Sequence, residues 1–338
     1  MISPTPLMRL VTGFWSFKTL AVAVELGLFT RIAGGRVVTV ADLRDEFGLA
    51  DRPADMLLAA CASLGLLDRA GDGYRNSAVA EEFLVVGRPY YFGGQVRYCD
   101  VKTYLPWHRV GDALRTDRPL TWDPDADRSA FETGDPEMLA EFWEAMYSTS
   151  SFTARSLASA YDFGPHSRLL DVGGGGGAYP IELCRTFSHL KAAVLDLPHV
   201  CEIAAGKIAA AGLIDRIDTV PGDFRADPAL PDGFDVLLLS MILHDWDETT
   251  NRELLAKCYA ALPADGVLII SELLLNAERT GPAEAALMGM NMIVETAGGH
   301  NYSDVEYATW LRDTGFADVR VIPLDAPGAN GVVLGRKP

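Results

Sequence analysis

The sequence predicts an α/β protein in which a doubly wound, mostly parallel sheet follows a smaller helical domain. Three observations support this prediction. Short apolar segments alternate with helical patterns from Arg168 onward, which is typical of βαβ units. Five consecutive glycines, Gly173–Gly177, join the first of these segments to a helix. The first hundred or so residues instead carry apolar side chains at helical spacing.

The N-terminal part has the pattern of a winged-helix module. An amphipathic helix is predicted over residues 8–32, shorter helices over residues 39–47 and 56–67, and a small hairpin over residues 68–75. Many winged helices bind DNA, but the formal net charge of −17 opposes binding to a polyanion. We therefore predict that residues 1–105 form a dimerisation domain and that residues 106–338 form the second domain.

The same acidic balance disfavours nucleic acids and anionic membranes as partners. We see no apolar run long enough to span a bilayer, and the N-terminus has neither a basic segment nor a cleavage site. Five cysteines without a C-x-x-C spacing indicate reduced thiols. Together these features predict a cytoplasmic protein whose ligands are small molecules.

Seven strands are predicted in the second domain. The last two are close together with no helix between them, so we expect an antiparallel pair at one edge of the sheet. The strands span residues 168–172, 192–195, 218–220, 235–240, 266–271, 318–322 and 331–334.

The glycine-rich turn indicates a site for a nucleoside-bearing cofactor. It follows Asp171 at the end of an apolar strand, and glycine lets the backbone approach a ligand because no Cβ intervenes. The next strand ends at Asp196, where a carboxylate can accept both ribose hydroxyls. Gly173, Gly175 and Ala178 satisfy the dinucleotide pattern G-x-G-x-x-[G/A], but the stretch also fits G-x-G-x-G, which resembles the first motif of S-adenosylmethionine (SAM) methyltransferases. The turn alone leaves both cofactors open.

Polar residues stand at or just beyond the ends of five predicted strands. Ligands of doubly wound sheets bind beyond the carboxyl ends of the strands, so these side chains are candidates for one site. His244 lies in the segment Ile-Leu-His-Asp-Trp-Asp just after a buried strand and is a candidate general base. The five residues are Asp171, Asp196, Asp223, His244 and Glu272.

Several segments together resemble the plant caffeic-acid-type and bacterial secondary-metabolite SAM methyltransferases over essentially the whole chain. The matching segments are Leu-Asp-Val-Gly-Gly-Gly at 170–175, Asp-Leu-Pro-His-Val at 196–200, Gly-Asp-Phe at 222–224, His-Asp-Trp at 244–246 and Ser-Glu at 271–272. The resemblance implies a Rossmann-like SAM-binding domain, a homodimer held by the winged-helix region and a catalytic role for His244. The predicted cofactor site comprises Asp171, Gly173, Gly175, Asp196, Asp223, Phe224 and Ser240.

One departure from the family pattern suggests a metal site. Where these O-methyltransferases carry Gly-Gly-(Lys/Arg)-Glu-Arg-Thr, with the Glu holding the catalytic histidine, this chain has Asn301 preceded by His300. Glu295 lies about one helical turn upstream. His244, Glu295 and His300 are ligand types for a divalent or ferric ion such as zinc or iron. Relatives with a similar histidine pair methylate α-keto acids with a bound metal.

These residues give three functional hypotheses. The first is metal-assisted C-methylation of the β-carbon of an α-keto acid, since a Lewis acid would stabilise the enolate. The second is O-methylation of a phenol, with His244 as base and Glu272 as its partner. The third is a non-catalytic SAM-binding regulator. Residues predicted to line the acceptor site are Phe142, Met146, Met292 and Asn301.

Overall fold

The computed structural model describes residues 2–125 and 136–338 and divides the chain into two compact units, Met1–Leu105 and Pro106–Pro338. For residues 136–139 and 141 it describes the backbone alone. The first unit contains α1 (Thr5–Val11), α2 (Gly13–Glu25), α3 (Leu28–Arg31), α4 (Val40–Phe47), α5 (Asp51–Ser63), β1 (Leu67–Ala70), β2 (Gly73–Asn76), α6 (Ala78–Phe83), α7 (Gly93–Tyr98) and a π-helical turn (Cys99–Thr103), after which α8 (Tyr104–His108) begins.

The first unit has the predicted arrangement of helices followed by a hairpin. Strands β1 and β2 pair antiparallel, with Leu67 opposite Asn76. Helix α4 begins with a capping box, in which Asp42 accepts the main-chain N–H of Thr39 at 2.7 Å. Phe29, Leu43 and Leu58 are among the fully buried side chains of a core that α2, α3, α4 and α5 share. The expectation of a helical N-terminal domain is confirmed.

Helices α1 and α2 expose much of their apolar surface. Leu10, Phe14 and Trp15 are 78%, 51% and 61% exposed. Within the described residues, one stretch, Thr5–Glu25, is long and apolar enough by length and composition to cross a membrane, with a mean hydropathy of 1.3. The prediction that no apolar run is long enough to span a bilayer is therefore wrong. The stretch is weak evidence for a membrane span, and the helix is interrupted at Thr12.

The second unit is a seven-stranded sheet flanked by helices. Its elements after α8 are α9 (Val110–Thr116), α10 (Pro136–Ala160), β3 (Arg168–Val172), α11 (Ala178–Thr186), β4 (Lys191–Asp196), α12 (Pro198–Ala210), β5 (Ile217–Pro221), β6 (Val236–Ser240), a 3-10 turn (Leu243–Asp245), α13 (Glu248–Ala261), β7 (Val267–Glu272), α14 (Ala283–Glu295), α15 (Asp304–Thr314), β8 (Ala317–Ala326) and β9 (Ala329–Arg336).

The strand order is β5-β4-β3-β6-β7-β9-β8. The first five strands pair in parallel, and β9 pairs antiparallel with both β7 and β8. This confirms the doubly wound sheet with an antiparallel edge. The order reverses between β3 and β6, and such a switch point is where these sheets leave a crevice beyond the carboxyl ends of the strands.

Candidate functional site

The glycine turn after β3 forms the floor of this crevice. Gly173, Gly175 and Gly177 have φ values of +71°, +53° and +75°, which L side chains rarely adopt. A Cβ at Gly173 would overlap the side chain of Ile242 and lie 3.2 Å from the Phe224 ring. Only glycine therefore fits where the loops after β3, β5 and β6 meet.

Two carboxylates lie beside the glycine turn. Asp196, at the end of β4, accepts the main-chain N–H of Gly175 through Oδ2 and that of Leu197 through Oδ1, both at 2.8 Å. Asp171 is buried, and its Oδ2 has no hydrogen-bond partner among the described residues. Burial and the nearby Asp196 raise the pKa of Asp171 to about 8. A buried carboxyl with an open acceptor position suits a cationic or hydrogen-bond-donating ligand group.

The loop after β5 is held by hydrogen bonds within the protein. Asp223 accepts the N–H of Arg225 at 2.9 Å, and the Lys257 ammonium donates to the carbonyls of Phe224, Arg225 and Asp227 at 3.0, 2.8 and 2.7 Å. Ser240 ends β6, next to the first turn. The predicted cofactor residues thus lie either in the last residues of β3, β4 and β6 or on the loops after β3 and β5, at the carboxyl end of the sheet. Direct contact with a cofactor stays a prediction.

His244 lies just beyond β6 and is 5% exposed. Its Nδ1 is 2.6 Å from Oε2 of Glu272, the last residue of β7. Oε1 of Glu272 accepts the main-chain N–H groups of Ile242 and Leu243, each at 3.0 Å. Because the carboxylate accepts from Nδ1–H, the lone pair of the neutral imidazole lies on Nε2. This is the arrangement of a general base with an orienting partner.

Sequence reasoning missed two residues, one in this turn and one on α13 that hydrogen-bonds to it. Asp245 places Oδ1 3.6 Å from Nε2 of His244, and burial raises its pKa to about 6. Asn251, which is fully buried, donates to the carbonyls of Leu243 and Trp246 at 2.8 and 3.2 Å. Asp245 could have been found from its place next to the histidine at a strand end. No pattern in the sequence marks Asn251.

The charges around His244 set its protonation state. Burial opposes protonation of the imidazole, but the carboxylates of Glu272, Asp245 and Glu295 outweigh burial and raise the pKa of His244 to about 9. At neutral pH the ligand-free protein therefore holds His244 mainly in the protonated form.

This pKa gives the first prediction. If His244 acts as a base, log(kcat/KM) for an acceptor should rise with pH from about 7 toward about 9, because the raised pKa keeps the imidazole protonated below that range. The measurement is initial rate against pH at saturating SAM and limiting acceptor. A rate that stays constant between pH 6 and 9 would contradict it.

The predicted metal site is wrong. Among the described residues, no group of three or more His, Cys, Asp or Glu side chains is arranged to hold a metal ion. Nε2 of His300 is 2.6 Å from Nη2 of Arg279. A guanidinium only donates, so this contact uses the imidazole lone pair that a metal would need. His300 is exposed, whereas His244 is buried and paired with Glu272.

The predicted acceptor residues have different environments. Phe142 and Met146 on α10 are half-buried, and Met292 on α14 is buried. Asn301 is 2% exposed and donates from Nδ2 to the carbonyls of Leu273 and Ala285 at 2.6 and 2.8 Å. Its amide thus joins the loop after β7 to α14. Contact of these residues with an acceptor stays a prediction.

Comparison with known proteins shows to which class this protein belongs. Residues 107–317 match the O-methyltransferase domain family, and residues 8–86 match the O-methyltransferase dimerisation domain. The chain belongs to the O-methyltransferase family and is a SAM-dependent methyltransferase. The dinucleotide alternative is thereby excluded. Asp171, Asp196 and the glycine turn fit SAM, because they offer acceptor groups and a floor free of Cβ atoms.

Particular relatives extend this finding. The chain is 50% identical over 335 residues to 3-hydroxy-5-methyl-1-naphthoate 3-O-methyltransferase of Streptomyces sahachiroi, covering 99% of this chain and 95% of the relative. It is 32% identical to the tetracenomycin polyketide synthesis 8-O-methyl transferase TcmO of Streptomyces glaucescens, over 99% and 97% of the two chains. Human N-acetylserotonin methyltransferase in complex with SAM superposes with a TM-score of 0.84 at 28% identity, over 98% and 97%.

These relatives overturn the favoured reaction. The two Streptomyces relatives are named as O-methyltransferases, not as enzymes that methylate α-keto acids. The hypothesis of metal-assisted C-methylation is therefore wrong, as is the resemblance to metal-dependent C-methyltransferases on which it depended. His300 misled the prediction from the sequence because its partner, Arg279, is recognisable only in the folded chain.

Proposed function

We propose that this protein transfers the methyl group of SAM to a hydroxyl of an aromatic acceptor, with His244 as general base. The observation that carries the proposal is the buried His244–Glu272 pair, in which Glu272 accepts from Nδ1 at 2.6 Å, so that the lone pair of the neutral imidazole is on Nε2. A phenol with a pKa of about 10 needs no stronger activation than a histidine base.

Each residue of the site would have a separate role in binding or in proton transfer. Bound SAM supplies an electrophilic methyl group. Asp196 would bind the ribose hydroxyls, and the open acceptor atom of Asp171 would bind the ammonium of the methionyl group. The Gly173 turn holds the cofactor against the sheet. Nε2 of His244 would take the hydroxyl proton as the oxygen attacks, and Glu272 stabilises the resulting imidazolium.

The acceptor class is proposed from the 50% identical relative. We infer a hydroxylated bicyclic aromatic acid, of which 3-hydroxy-1-naphthoate is a simple example, within a secondary-metabolite pathway. Phe142, Met146 and Met292 offer the apolar and polarisable contacts that such a ring needs.

We further propose a cytoplasmic homodimer. The match of residues 8–86 to a dimerisation domain supports this state, and so do the exposed apolar side chains of Leu10, Phe14 and Trp15. Light scattering coupled to size exclusion should give twice the monomer mass of 36.5 kDa.

A product screen tests the reaction. The enzyme is incubated with SAM and either 3-hydroxy-1-naphthoate, simple phenols or α-keto acids, each with and without a chelator. We expect a mass gain of one methylene on hydroxylated aromatics, unaffected by chelator, with the methyl placed on oxygen by NMR. SAM binding without turnover of any hydroxylated aromatic would support a regulatory protein instead.

A further inference from the structure

The chain changes direction at Met241, between the end of β6 and the turn that carries His244. Met241 has a φ of +56°, in the left-handed region that residues other than glycine rarely adopt. In the described part of the chain five non-glycine residues have a positive φ, and three of them are aspartates, which tolerate it best. Met241 is not of that kind and lies three residues before His244. Strained backbone is common at active sites, where the surrounding structure enforces it.

The conformation of Met241 directs three consecutive main-chain N–H groups toward the end of β7. The N–H of Met241 donates to the carbonyl of Ser271 at 3.1 Å, and those of Ile242 and Leu243 both donate to Oε1 of Glu272 at 3.0 Å. Ile242 has a φ of −116° and a ψ of −48°, so a right-handed residue follows a left-handed one. Successive residues of opposite hand turn their N–H groups to one side and form an anion-binding concavity. Here the bound anion is the Glu272 carboxylate.

This concavity holds one oxygen of the carboxylate and leaves the other for the histidine. Oε1 of Glu272 accepts from the two main-chain groups, while Oε2 lies 2.6 Å from Nδ1 of His244. Because the N–H of Met241 is tied to β7, rotation of its φ to a negative value would swing the next two N–H groups away from Oε1. The direction of the His244 ring therefore depends on the backbone at Met241.

We propose that Met241 is a positioning residue, whose left-handed backbone aims two main-chain N–H groups at Glu272 and through Glu272 orients His244. The backbone conformation carries this role, and the methionine side chain is tolerated there. The inference rests on the proposed function and deepens it, because it names what holds the base and its partner in place. It adds no chemical step.

Four substitutions separate the conformation of Met241 from its side chain. Met241→Gly and Met241→Asn suit a positive φ but remove the apolar side chain. Met241→Ile and Met241→Val keep an apolar side chain, but the branch at Cβ opposes a positive φ. With a hydroxylated aromatic that the wild type methylates, kcat of the branched variants should be about 10- to 100-fold below that of the other two. The opposite order would show that the side chain matters rather than the backbone, and would overturn the inference.

Titration of the His244 imidazole separates positioning from a general loss of stability. Burial opposes protonation of His244, and three carboxylates favour it, those of Glu272, of Asp245 in the same turn and of Glu295 on α14. Once Oε2 of Glu272 no longer faces Nδ1, the imidazolium is stabilised less, so the pKa of His244 should fall below about 9. Heteronuclear NMR of isotope-labelled histidine in the SAM-free protein measures this pKa, and the signal of His244 is the one absent from His244→Asn. We expect a lower pKa in Met241→Ile than in Met241→Asn.

Asp265→Val is the matched control for backbone strain. Asp265 also has a positive φ, +65°, and is exposed in the turn before β7, at the opposite end of that strand from Glu272. The variant places the same branched residue on the same kind of backbone, so it should lower the melting temperature as Met241→Val does. It should leave kcat and the pKa of His244 unchanged. Equal losses of kcat in Asp265→Val and Met241→Val would assign the effect to stability and overturn the inference.

Failure of the inference and failure of the proposed function give different results. If the wild type methylates a hydroxylated aromatic but all Met241 variants share one kcat and one pKa of His244, the inference is overturned and the reaction stands. If folded, SAM-binding wild type methylates no hydroxylated aromatic, the proposed function has failed, and the NMR titration still tests the positioning role. Met241→Ala, whose Cβ opposes this φ without a branch, replaces the branched variants if they do not fold, and the expected direction is the same.

Discussion

The His244→Asn variant is expected to lose about 10²- to 10⁴-fold in kcat while it keeps its affinity for SAM. An asparagine Nδ2 can still donate toward Glu272, whose Oε2 lies 2.6 Å from Nδ1 in the native protein. The variant lacks Nε2 and therefore the lone pair that would accept the hydroxyl proton. The measurements are single-turnover rate with a hydroxylated aromatic and SAM affinity by calorimetry.

His244→Ala is the companion variant. It also removes the base, but it leaves Oε2 of Glu272 buried without its partner, so it should be less stable than His244→Asn by about 1–3 kcal/mol. Similar turnover in both variants, with different melting temperatures, would separate the chemical role from the structural one. If His244→Asn kept a tenth or more of wild-type turnover, His244 would not be the base.

Much of the fold could be predicted because its signals are local. Strand β3 occupies the predicted residues 168–172, since an apolar run followed by glycines has few other solutions. Strand β8 extends to Ala326, well beyond the predicted 318–322. Its side chains are exposed or half-buried throughout, so a sequence pattern based on burial marks only part of it. Pairing with β9, which is mostly buried, sets the real length.

In the site, as in the fold, the features that could be predicted are those with a local signal in the sequence. The His244–Glu272 pair could be predicted because His244 lies just beyond β6 and Glu272 ends the neighbouring strand β7, at the same edge of the sheet. The error at His300 arose because its partner, Arg279, is 21 residues away in a loop with no periodic pattern. Nε1 of Trp107 donates a hydrogen bond to Oδ1 of Asn291, a residue 184 positions away in the sequence. Contacts of this kind depend on packing that no spacing rule encodes.

After His244, Glu272 should be the position at which substitution lowers turnover and stability the most. Two substitutions separate its roles. It is 1% exposed and accepts three hydrogen bonds, from the N–H groups of Ile242 and Leu243 and from Nδ1 of His244. Leucine would leave all three donors without an acceptor. It should therefore destabilise the protein by about 2–4 kcal/mol and disorder the turn that begins at Met241, whose φ is +56°.

Glu272→Gln tests the electrostatic role with less damage. Its carbonyl can still accept from Ile242 and Leu243, but its NH₂ then faces Nδ1 of His244. The imidazole would have to place its proton on Nε2 to accept that donor, and the base would be lost. We expect kcat to fall about 10²- to 10⁴-fold with only a modest drop in melting temperature. Near-normal turnover in a folded Glu272→Gln variant would show that Glu272 supports the backbone alone, because the two main-chain bonds are the ones that glutamine preserves.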